Sequence, residues 1–283
     1  MKIAKKAVAV VVHSCDRYQL LYKGFEFFFK KHWPLHSAIS NFYFLTEEAD
    51  FNSDLFINIK TGKGEWSDRL RKGLHLLEEK YILYLQEDMW FTKSLSTEVL
   101  DAIASFTIEK YVKLFKLNSS EVFVTVPTED FIAGLGVAVL NNRESDFLMS
   151  HQPSMWNKDF LISQLKANEH PWRNERKGTK RLKKLDEIIY HIDLFSENGK
   201  PPINKNTNLS NQSAYKTISA NAMLNSSIVF FIEELKQSTK EELIKYSDQL
   251  EHNFQKRLTH DGKPVPRKDD IFKKIKKLFR SRS

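Results

Sequence analysis

The chain has 283 residues, of which 41% are hydrophobic and 12% are aromatic, and its formal net charge is +8. This composition can supply a sizeable core and excludes an intrinsically disordered chain. A single cysteine excludes an internal disulfide, and no stretch of about 18 uncharged apolar residues occurs, so we do not expect a membrane-spanning helix.

The first third of the sequence alternates between apolar runs of strand length and segments with helical periodicity. Strands are predicted at residues 7–12, 42–46, 55–59 and 81–85, and helices at residues 19–31 and 66–79. Ser67 is the predicted N-cap of the second helix. Strands and helices that alternate at this spacing indicate βαβ units, in which the strands are parallel and the connections are right-handed.

The rest of the chain has a less regular pattern. Helices are predicted at residues 95–106 and 158–167 and from 173 to about 190, and strands at 111–117, 122–126 and 135–140. Polar and apolar residues alternate at 111–117, which predicts a half-exposed strand, and the next two strands are expected to pair antiparallel. Residues 200–215 predict a long surface loop or a lid. A capping-box pattern from Ser238 predicts a last helix to about residue 258.

These elements predict an α/β fold with a Rossmann-like, mostly parallel central sheet flanked by helices and with a helical C-terminal extension. We expect a main domain at residues 1–227 and the extension at residues 228–283. If the first four strands are parallel, the loops that follow them open on one edge of the sheet. Asp16, Thr46, the loop at residues 62–68 and Asp88 would then meet at one crevice.

The stretch at residues 81–90 is the one around which we expect the site to form. Its apolar run ends abruptly in Glu87 and Asp88. Because an unpaired carboxylate is costly to bury, acids at the end of a core strand are expected at the carboxyl edge of the sheet, where ligands bind. A carboxylate there can hold a divalent metal, which can hold a diphosphate. The alternative is that one acid caps the next helix and the other is solvated.

Five short motifs follow one another along the chain. They are His-Ser-Cys-Asp-Arg-Tyr at 13–18, Trp-Ser-Asp-Arg-Leu at 66–70, Tyr-Leu-Gln-Glu-Asp at 84–88, Gln-Pro-Ser-Met-Trp-Asn at 152–157 and Glu-His-Pro-Trp-Arg-Asn-Glu at 169–175. Together they resemble bacterial surface-polysaccharide glycosyltransferases of the capsule or O-antigen type, which have a GT-A fold. The resemblance covers roughly residues 1–200. It implies hexosyl or deoxyhexosyl transfer from a nucleotide-sugar donor, bound by residues 1–93, to a saccharide or lipid-linked saccharide acceptor, bound by residues 94–227.

The resemblance places the nucleotide-sugar contacts in the first half of the chain. The implied residues are Asp16, Arg17, Asp68, Arg69, Gln86, Glu87 and Asp88. Asp16 would contact the base or the ribose, and the alternative is that it caps a helix. Asp68 would bind the ribose or the sugar and Arg69 the phosphate. The alternative is that Asp68 is a first-turn acid that offsets the helix dipole and that Arg69 is solvated.

The resemblance also implies a divalent metal, Mn²⁺ or Mg²⁺, with Asp88 as a ligand. The family usually carries Asp-x-Asp at this place, whereas this chain has Gln86, Glu87 and Asp88. An amide carbonyl can still ligate a hard cation but brings less charge, which leaves metal dependence open.

Glycosyl transfer with inversion, which we expect here, needs a general base for the acceptor hydroxyl. Glu175 and Glu169 flank the Pro-Trp pair at residues 171–172, where the resemblance places acceptor-side residues. Either acid is therefore the predicted catalytic base, and Trp172 and Trp156 are the predicted acceptor-binding residues. The alternative is that Trp172 packs in the core and both acids are solvated.

The C-terminal tail has a composition of its own. Between residues 267 and 283 there are eight Lys or Arg and two Asp, a net charge of 8 − 2 = +6. The apolar residues of this tail share one helical face, namely Ile271, Phe272, Ile275, Leu278 and Phe279. This pattern favours a helix on an anionic membrane surface, bound through residues 267–282. The alternative is a helix docked on its own domain or on a partner.

We therefore expect a cytoplasmic enzyme that is peripheral at the inner face of the cell membrane. The rival hypothesis is a non-catalytic basic protein that binds nucleic acid or another anionic partner. No nucleic-acid partner is expected, because the apolar face of the tail argues against a nucleic-acid arm.

Overall fold

A computed structural model describes residues 7–35, 37, 39, 41–198 and 213–264 of the chain. The chain forms two compact units, Met1–Thr217 and Ile218–Ser283. The predicted division at residue 227, and the predicted division of the main domain into a donor half and an acceptor half, stay predictions.

The first unit contains eleven strands and five α-helices within the described residues. In chain order they are β1 (Val8–His13), α1 (Gln19–His32), β2 (Asn41–Thr46), β3 (Ile57–Lys60), α2 (Trp66–His75), β4 (Tyr81–Gln86), β5 (Met89–Lys93), α3 (Thr97–Glu109), β6 (Leu114–Asn118), β7 (Thr125–Ile132), β8 (Leu135–Leu140), β9 (Ser154–Asn157), α4 (Lys158–Gln164), α5 (Pro171–Leu185), β10 (Ile189–Glu197) and β11 (Ser213–Thr217). A single 3₁₀ turn, Asp16–Tyr18, joins β1 to α1.

All eleven strands belong to one sheet, in which nine follow the order β3-β2-β1-β4-β9-β6-β10-β11-β5 and the β7–β8 hairpin joins through β10. Within this order β3, β2, β1 and β4 are parallel. Strand β9 is antiparallel to both β4 and β6, so β6 again runs with β4. Strands β10 and β11 continue in that direction, and β5 at the end of the order runs against it, as β8 does where it pairs with β10. The expected α/β class with a mostly parallel sheet is confirmed.

Hydrophobic side chains cover both faces of this sheet because its central strands are apolar on both sides. On one face, Phe25 and Phe29 of α1 pack edge-on against the rings of Phe44 and Phe42 of β2. On the other face, Leu70 and other residues of α2 join a buried cluster with residues of β4, β9 and α4. Helices therefore flank the sheet on both sides and leave its carboxyl edge to loops.

Several sequence predictions were wrong in detail. Helix α5 ends at Leu185, because Asp186 adopts a left-handed conformation with φ of 51°, and a strand follows where the helix was expected to continue. The N-cap of α2 is Glu65, whereas Ser67 lies inside the helix and its hydroxyl binds the carbonyl of Lys166 at 2.7 Å. The strand expected to be half-exposed is buried along β6.

The second unit contains a short hairpin of β12 (Ser219–Ala220) and β13 (Met223–Leu224), followed by helices α6 (Ile228–Lys236) and α7 (Glu241–Gln255). The N-cap of α7 is Lys240, two residues beyond the predicted Ser238. Among the described residues, no helix is both long enough and apolar enough to cross a membrane. The basic tail at residues 267–282 and most of the predicted loop at 200–215 lie outside the described residues.

Candidate active site

The strand order brings the ends of the central strands to one edge of the sheet. His13, the last residue of β1, is in register with Gln86, the last residue of β4. Ser154 opens the antiparallel strand β9 and pairs with both Tyr84 and Lys116. The loop before β9 therefore enters the sheet where β1, β4 and β6 end. This is the carboxyl edge at which α/β sheets bind ligands.

A row of rings lies behind this edge. The ring centroids of His13 and Trp66 are 5.3 Å apart, those of Trp66 and His151 are 4.1 Å apart, and those of His151 and Tyr84 are 5.9 Å apart. Both ring nitrogens of His13 are buried without a hydrogen-bond partner in the described part of the chain, whereas the Trp66 indole and the Tyr84 hydroxyl are close enough to interact with each other. Buried polar groups are usually satisfied, so the ring nitrogens of His13 point to a ligand.

Glu87 and Asp88 form the turn between β4 and β5. The indole of Trp90 donates to the carbonyl of Glu87 at 3.0 Å and holds this turn from behind. Burial raises the pKa of both carboxyl groups, and the charge of Asp88 adds to the effect on Glu87. The charge of Glu197, at the end of β10, further raises the pKa of Asp88. Acids with raised pKa values in one cluster are typical of functional sites.

Tyr84 lies close to acids from two different parts of the chain. Burial raises the pKa of its hydroxyl well above the usual value, and the charges of Glu87, Glu175 and Asp88 raise it further. Tyr84 lies on β4 close before the Glu87–Asp88 turn, and its ring is 5.9 Å from that of His151, whose backbone N–H binds Glu175 of α5. The structure thus brings a predicted donor-side pair and a predicted base to one place.

Glu175 is a half-buried acid on α5 that faces the loop before β9. Its Oε1 accepts the backbone N–H of His151 at 3.1 Å. Burial raises the pKa of Glu175, while that hydrogen bond and the charge of Lys116 act in the opposite direction. A carboxylate that is poorly solvated holds a proton more readily, which suits a general base near neutral pH.

Glu169, the other predicted base, has a structural role. Both of its oxygens accept from Arg181, at 3.0 and 2.9 Å, and one also accepts from Asn174 at 2.8 Å. Despite burial, these partners lower the pKa of Glu169. A buried carboxylate with three donors has little capacity left for a substrate proton. Of the two predicted bases, Glu175 therefore fits the role better than Glu169.

Asp16 anchors the loop that follows β2. Its two oxygens accept the backbone N–H groups of Glu47, Glu48 and Ala49, each at 2.9 Å. In return, the Glu47 carboxylate accepts the N–H of Asp16 at 3.0 Å. Asp16 is therefore not the helix cap of the alternative hypothesis, and its oxygens are engaged within the protein. Arg17 beside it is exposed, and donor contact by either residue stays a prediction.

Asp68 and Arg69 tie the start of α2 to its surroundings. Asp68 accepts the N–H of Asn168 at 2.9 Å and pairs with Arg71 at 3.0 Å. Arg69 is buried and donates to the carbonyl of Ser14 at 2.7 Å. The alternative of a solvated arginine is wrong, since Arg69 lies beneath the β1 loop. Its charge reaches Glu87, whose pKa it lowers against the effect of burial.

The two predicted acceptor-binding tryptophans occupy different environments. The side chain of Trp156 is 2% exposed and packs in the core cluster, so its ring has no open face for a sugar, and this residue does not fit the predicted role. Trp172 is 65% exposed near the start of α5. The alternative that Trp172 packs in the core is wrong, and an acceptor contact by Trp172 stays a prediction.

The residues present do not form a protein cage for a divalent metal. No group of three or more His, Cys, Asp or Glu side chains with such an arrangement occurs in the described ranges. The Oδ1 atom of Asp88 is buried and has no hydrogen-bond partner among the described residues, but Gln86 supplies only an amide. Metal binding by Asp88 stays a prediction.

Sequence reasoning missed several residues of this cluster. His13, Trp66 and Tyr84 lie inside three of the five motifs, but the sequence gives none of them a predicted role. Lys116 and His151 were not considered at all. The available signal was Lys116 itself, because a lysine inside the run Leu-Phe-Lys-Leu of residues 114–117 interrupts a strand that is otherwise apolar.

No protein-family model matches the sequence, and no curated protein matches it. Among solved structures, S. aureus TarS 1-349 in complex with UDP matches with a TM-score of 0.47 and 12% identity, over 89% of this chain and 71% of that chain. The same fragment in complex with UDP-GlcNAc matches with a TM-score of 0.45 and 13% identity, over 89% and 72%. A longer TarS chain is covered over 43% of its length, with 89% of this chain covered, a TM-score of 0.45 and 12% identity. Similarity at this level identifies neither a ligand nor an activity for this chain.

Proposed function

We propose that this chain is a nucleotide-sugar-dependent glycosyltransferase that transfers a sugar, with inversion, to a saccharide or lipid-linked saccharide. One observation carries most of the proposal. Tyr84 lies on β4 three residues before Glu87, and its ring is 5.9 Å from that of His151, whose backbone N–H binds Glu175 of α5 at 3.1 Å. A turn that can face the donor and a separate base are what this reaction requires. The ring nitrogens of His13 and the Oδ1 atom of Asp88, which have no hydrogen-bond partner among the described residues, support a polar ligand at the same edge.

In the proposed reaction, the Glu175 carboxylate accepts the proton of the acceptor hydroxyl. The acceptor oxygen then forms a bond to the anomeric carbon, while the bond from that carbon to the diphosphate breaks. The electron pair of the broken bond leaves with the nucleoside diphosphate. The buried Arg69, close behind the Glu87–Asp88 turn, supplies positive charge to this region of the site.

The test is a panel of UDP-, GDP-, CMP- and dTDP-sugars, each with and without Mn²⁺ or Mg²⁺. At least one nucleotide sugar should raise the melting temperature, because a ligand that binds only the folded state stabilises it. Asp88→Asn should remove that stabilisation, whereas Glu187→Asn, which changes an acid that pairs with Lys113, should keep it. A panel without any stabilising sugar would overturn the proposal.

The rival hypothesis gives a different outcome in the same assay. A basic protein that binds nucleic acid should ignore the whole panel and should bind oligonucleotides with an affinity that falls steeply with salt. Helix α5 carries the relevant exposed basic residues, including Arg173, Arg176 and Lys177. Reversing their charges should abolish oligonucleotide binding under the rival hypothesis and should leave donor-induced stabilisation intact under ours.

We further propose that the tail at residues 267–282 holds the enzyme on an anionic membrane, where a lipid-linked acceptor would be available. The support is the sequence pattern alone, in which basic residues surround one apolar helical face. The full chain should sediment with vesicles that contain anionic lipid, and a truncation before Arg267 should not. If the truncated chain sediments equally well, the membrane proposal fails.

A further inference from the structure

Lys116 is the most deeply buried cationic side chain near the candidate site. It lies in β6, opposite Ser154 of β9 and His191 of β10, and its side chain is 0% exposed. Lysine is almost never fully buried without a partner. Here the Nζ atom donates to the Ser150 hydroxyl at 2.7 Å and to the Ser150 carbonyl at 3.3 Å. Both of these contacts are neutral, and the Nζ atom also lies 6.0 Å from the centroid of the Trp156 ring.

The loop that binds Lys116 also binds an acid, Glu175. Ser150 holds Lys116, and the next residue, His151, donates its backbone N–H to the Glu175 carboxylate at 3.1 Å. Two consecutive residues of one loop thus fix the cation and the acid. Within the described residues, Glu175 is the carboxylate whose charge raises the pKa of Lys116.

Helix α5 is docked closely on this loop. The Thr179 hydroxyl accepts the backbone N–H of Met149 at 3.2 Å. A Cβ atom on Gly178 would lie 2.5 Å from Cγ of Met149, so only glycine allows this approach of the helix. The spacing between Glu175 and Lys116 is therefore set by packing on both sides.

The other titratable groups around the pair are close to neutral or are acids. Facing Lys116 are Glu175 from α5, His151 from the loop and His191 from β10, and burial lowers the pKa of the two histidines to about 3 and about 4. Facing Glu175 are Lys116, His151 and the Tyr84 hydroxyl of β4. Burial lowers the pKa of Lys116 to about 7, against the pull of Glu175. Of these groups, Lys116 is therefore the one that carries a positive charge, up to about neutral pH.

We propose that Lys116 is a positioning residue for the transfer reaction: its ammonium group, held by Ser150, keeps the Glu175 carboxylate ionised and oriented to accept the acceptor's proton. No proton passes to Lys116 in this scheme, because the proton of the acceptor hydroxyl stays on Glu175. The catalytic part rests on the proposed function. The coupling between the two side chains is a property of the protein alone and can be measured without a substrate.

The direct test is an NMR titration of the full-length protein labelled with ¹³C at the glutamate carboxyl carbons. The Glu175 signal is the one that disappears in Glu175→Gln. In Lys116→Met, its ionisation midpoint should move to higher pH, on the order of a tenfold weaker acid, because an opposite charge nearby has been removed. Lys113→Met serves as the matched control. Lys113 is half-exposed and pairs with Glu187, so this change should leave the midpoint in place.

A second variant tests the proposal if Lys116→Met does not fold. Ser150→Ala keeps the charge of Lys116 but removes its 2.7 Å hydrogen bond, and it should move the midpoint in the same direction by a smaller amount. An unmoved midpoint in folded Lys116→Met, or in Ser150→Ala where Lys116→Met is unfolded, overturns the proposal.

Activity with a donor from the panel gives the second readout. The acid limb of the kcat/KM profile should move to higher pH in Lys116→Met by the same factor as the NMR midpoint, whereas a purely structural loss would lower activity without moving the limb. If the midpoint moves but no nucleotide sugar stabilises the protein, the glycosyltransferase proposal fails and the coupling between Lys116 and Glu175 is supported. A stabilising donor with an unmoved midpoint sinks the Lys116 proposal alone.

Discussion

The first unit contains two kinds of carboxylate, which differ in how many hydrogen-bond donors of the protein they accept. Asp16 accepts three backbone N–H groups, and Glu169 accepts from Arg181 and Asn174. The second kind, made up of Glu87, Asp88 and Glu175, lies around Tyr84, and burial raises the pKa of each member. Acids with a full set of donors hold loops and helices in place. Acids that are short of donors remain available to a ligand.

The largest expected effect is on catalysis by Glu175. Glu175→Gln should lower the transfer rate about 10²- to 10⁴-fold, which is the usual contribution of a general base, because the amide cannot accept the acceptor's proton. Donor-induced stabilisation should be unchanged, since Glu175 lies on the acceptor side in this mechanism. The measurement is the single-turnover transfer rate with the donor that the panel identifies. A rate within threefold of wild type would remove Glu175 from the mechanism.

The next effect is on stability at Glu169. Arg181→Met should lower the free energy of unfolding by about 2–3 kcal/mol, because it leaves a buried carboxylate without its cation. The Arg181 side chain is partly exposed, at 22%, which keeps the effect below that of a fully buried pair. Chemical denaturation measures it, and Arg173→Met, at an exposed position of the same helix, is the control. A change below about 0.5 kcal/mol, which is the scale of surface substitutions, would show that Glu169 does not need its partner.

Asp16 and Asp88 allow the same comparison with one substitution. Asp16→Asn should destabilise the protein by about 1–2 kcal/mol, because an amide has only one oxygen to accept the N–H groups that both carboxylate oxygens now accept. Asp88→Asn should leave stability unchanged or raise it, because it removes a charge that burial disfavours. Thermal denaturation at pH 7 compares the two. If Asp88→Asn were the more destabilising of the pair, Asp88 would belong with the structural acids.

The sequence identified most of the acids but not their division into these two kinds. Their partners come from distant positions: Asp16 binds the loop at residue 47, and Glu175 binds His151, 24 residues before it. Local periodicity carries no information about such contacts. Strands β1, β2 and β4 were predicted within one residue because each is an apolar run. Strand β5 was not predicted, and β9, with only four residues, is defined by its pairing with β4 and β6. Lys116 was missed because alternation cannot tell a lysine in solvent from one held by Ser150.

The smallest effect is the pH dependence of stability, for which the two kinds of acid predict opposite signs. The pKa of Glu169 is lowered in the folded state, so its contribution is present above the unfolded value of about 4.3 and is lost as pH falls through the folded pKa. The pKa of Glu175 is raised, so its contribution is present below about 4.3 and is lost as pH rises through the folded pKa.

Replacing each acid by glutamine should therefore tilt the stability curve in opposite directions. From pH 4 to pH 8, Glu169→Gln should lose melting temperature relative to wild type, and Glu175→Gln should gain about 1–2 °C, roughly what 0.5 kcal/mol produces in a chain of this size. The constant cost of leaving Arg181 unpaired in Glu169→Gln shifts its curve without changing the slope. Parallel slopes in the two variants would mean that Glu169 and Glu175 do not differ in the way their contacts indicate.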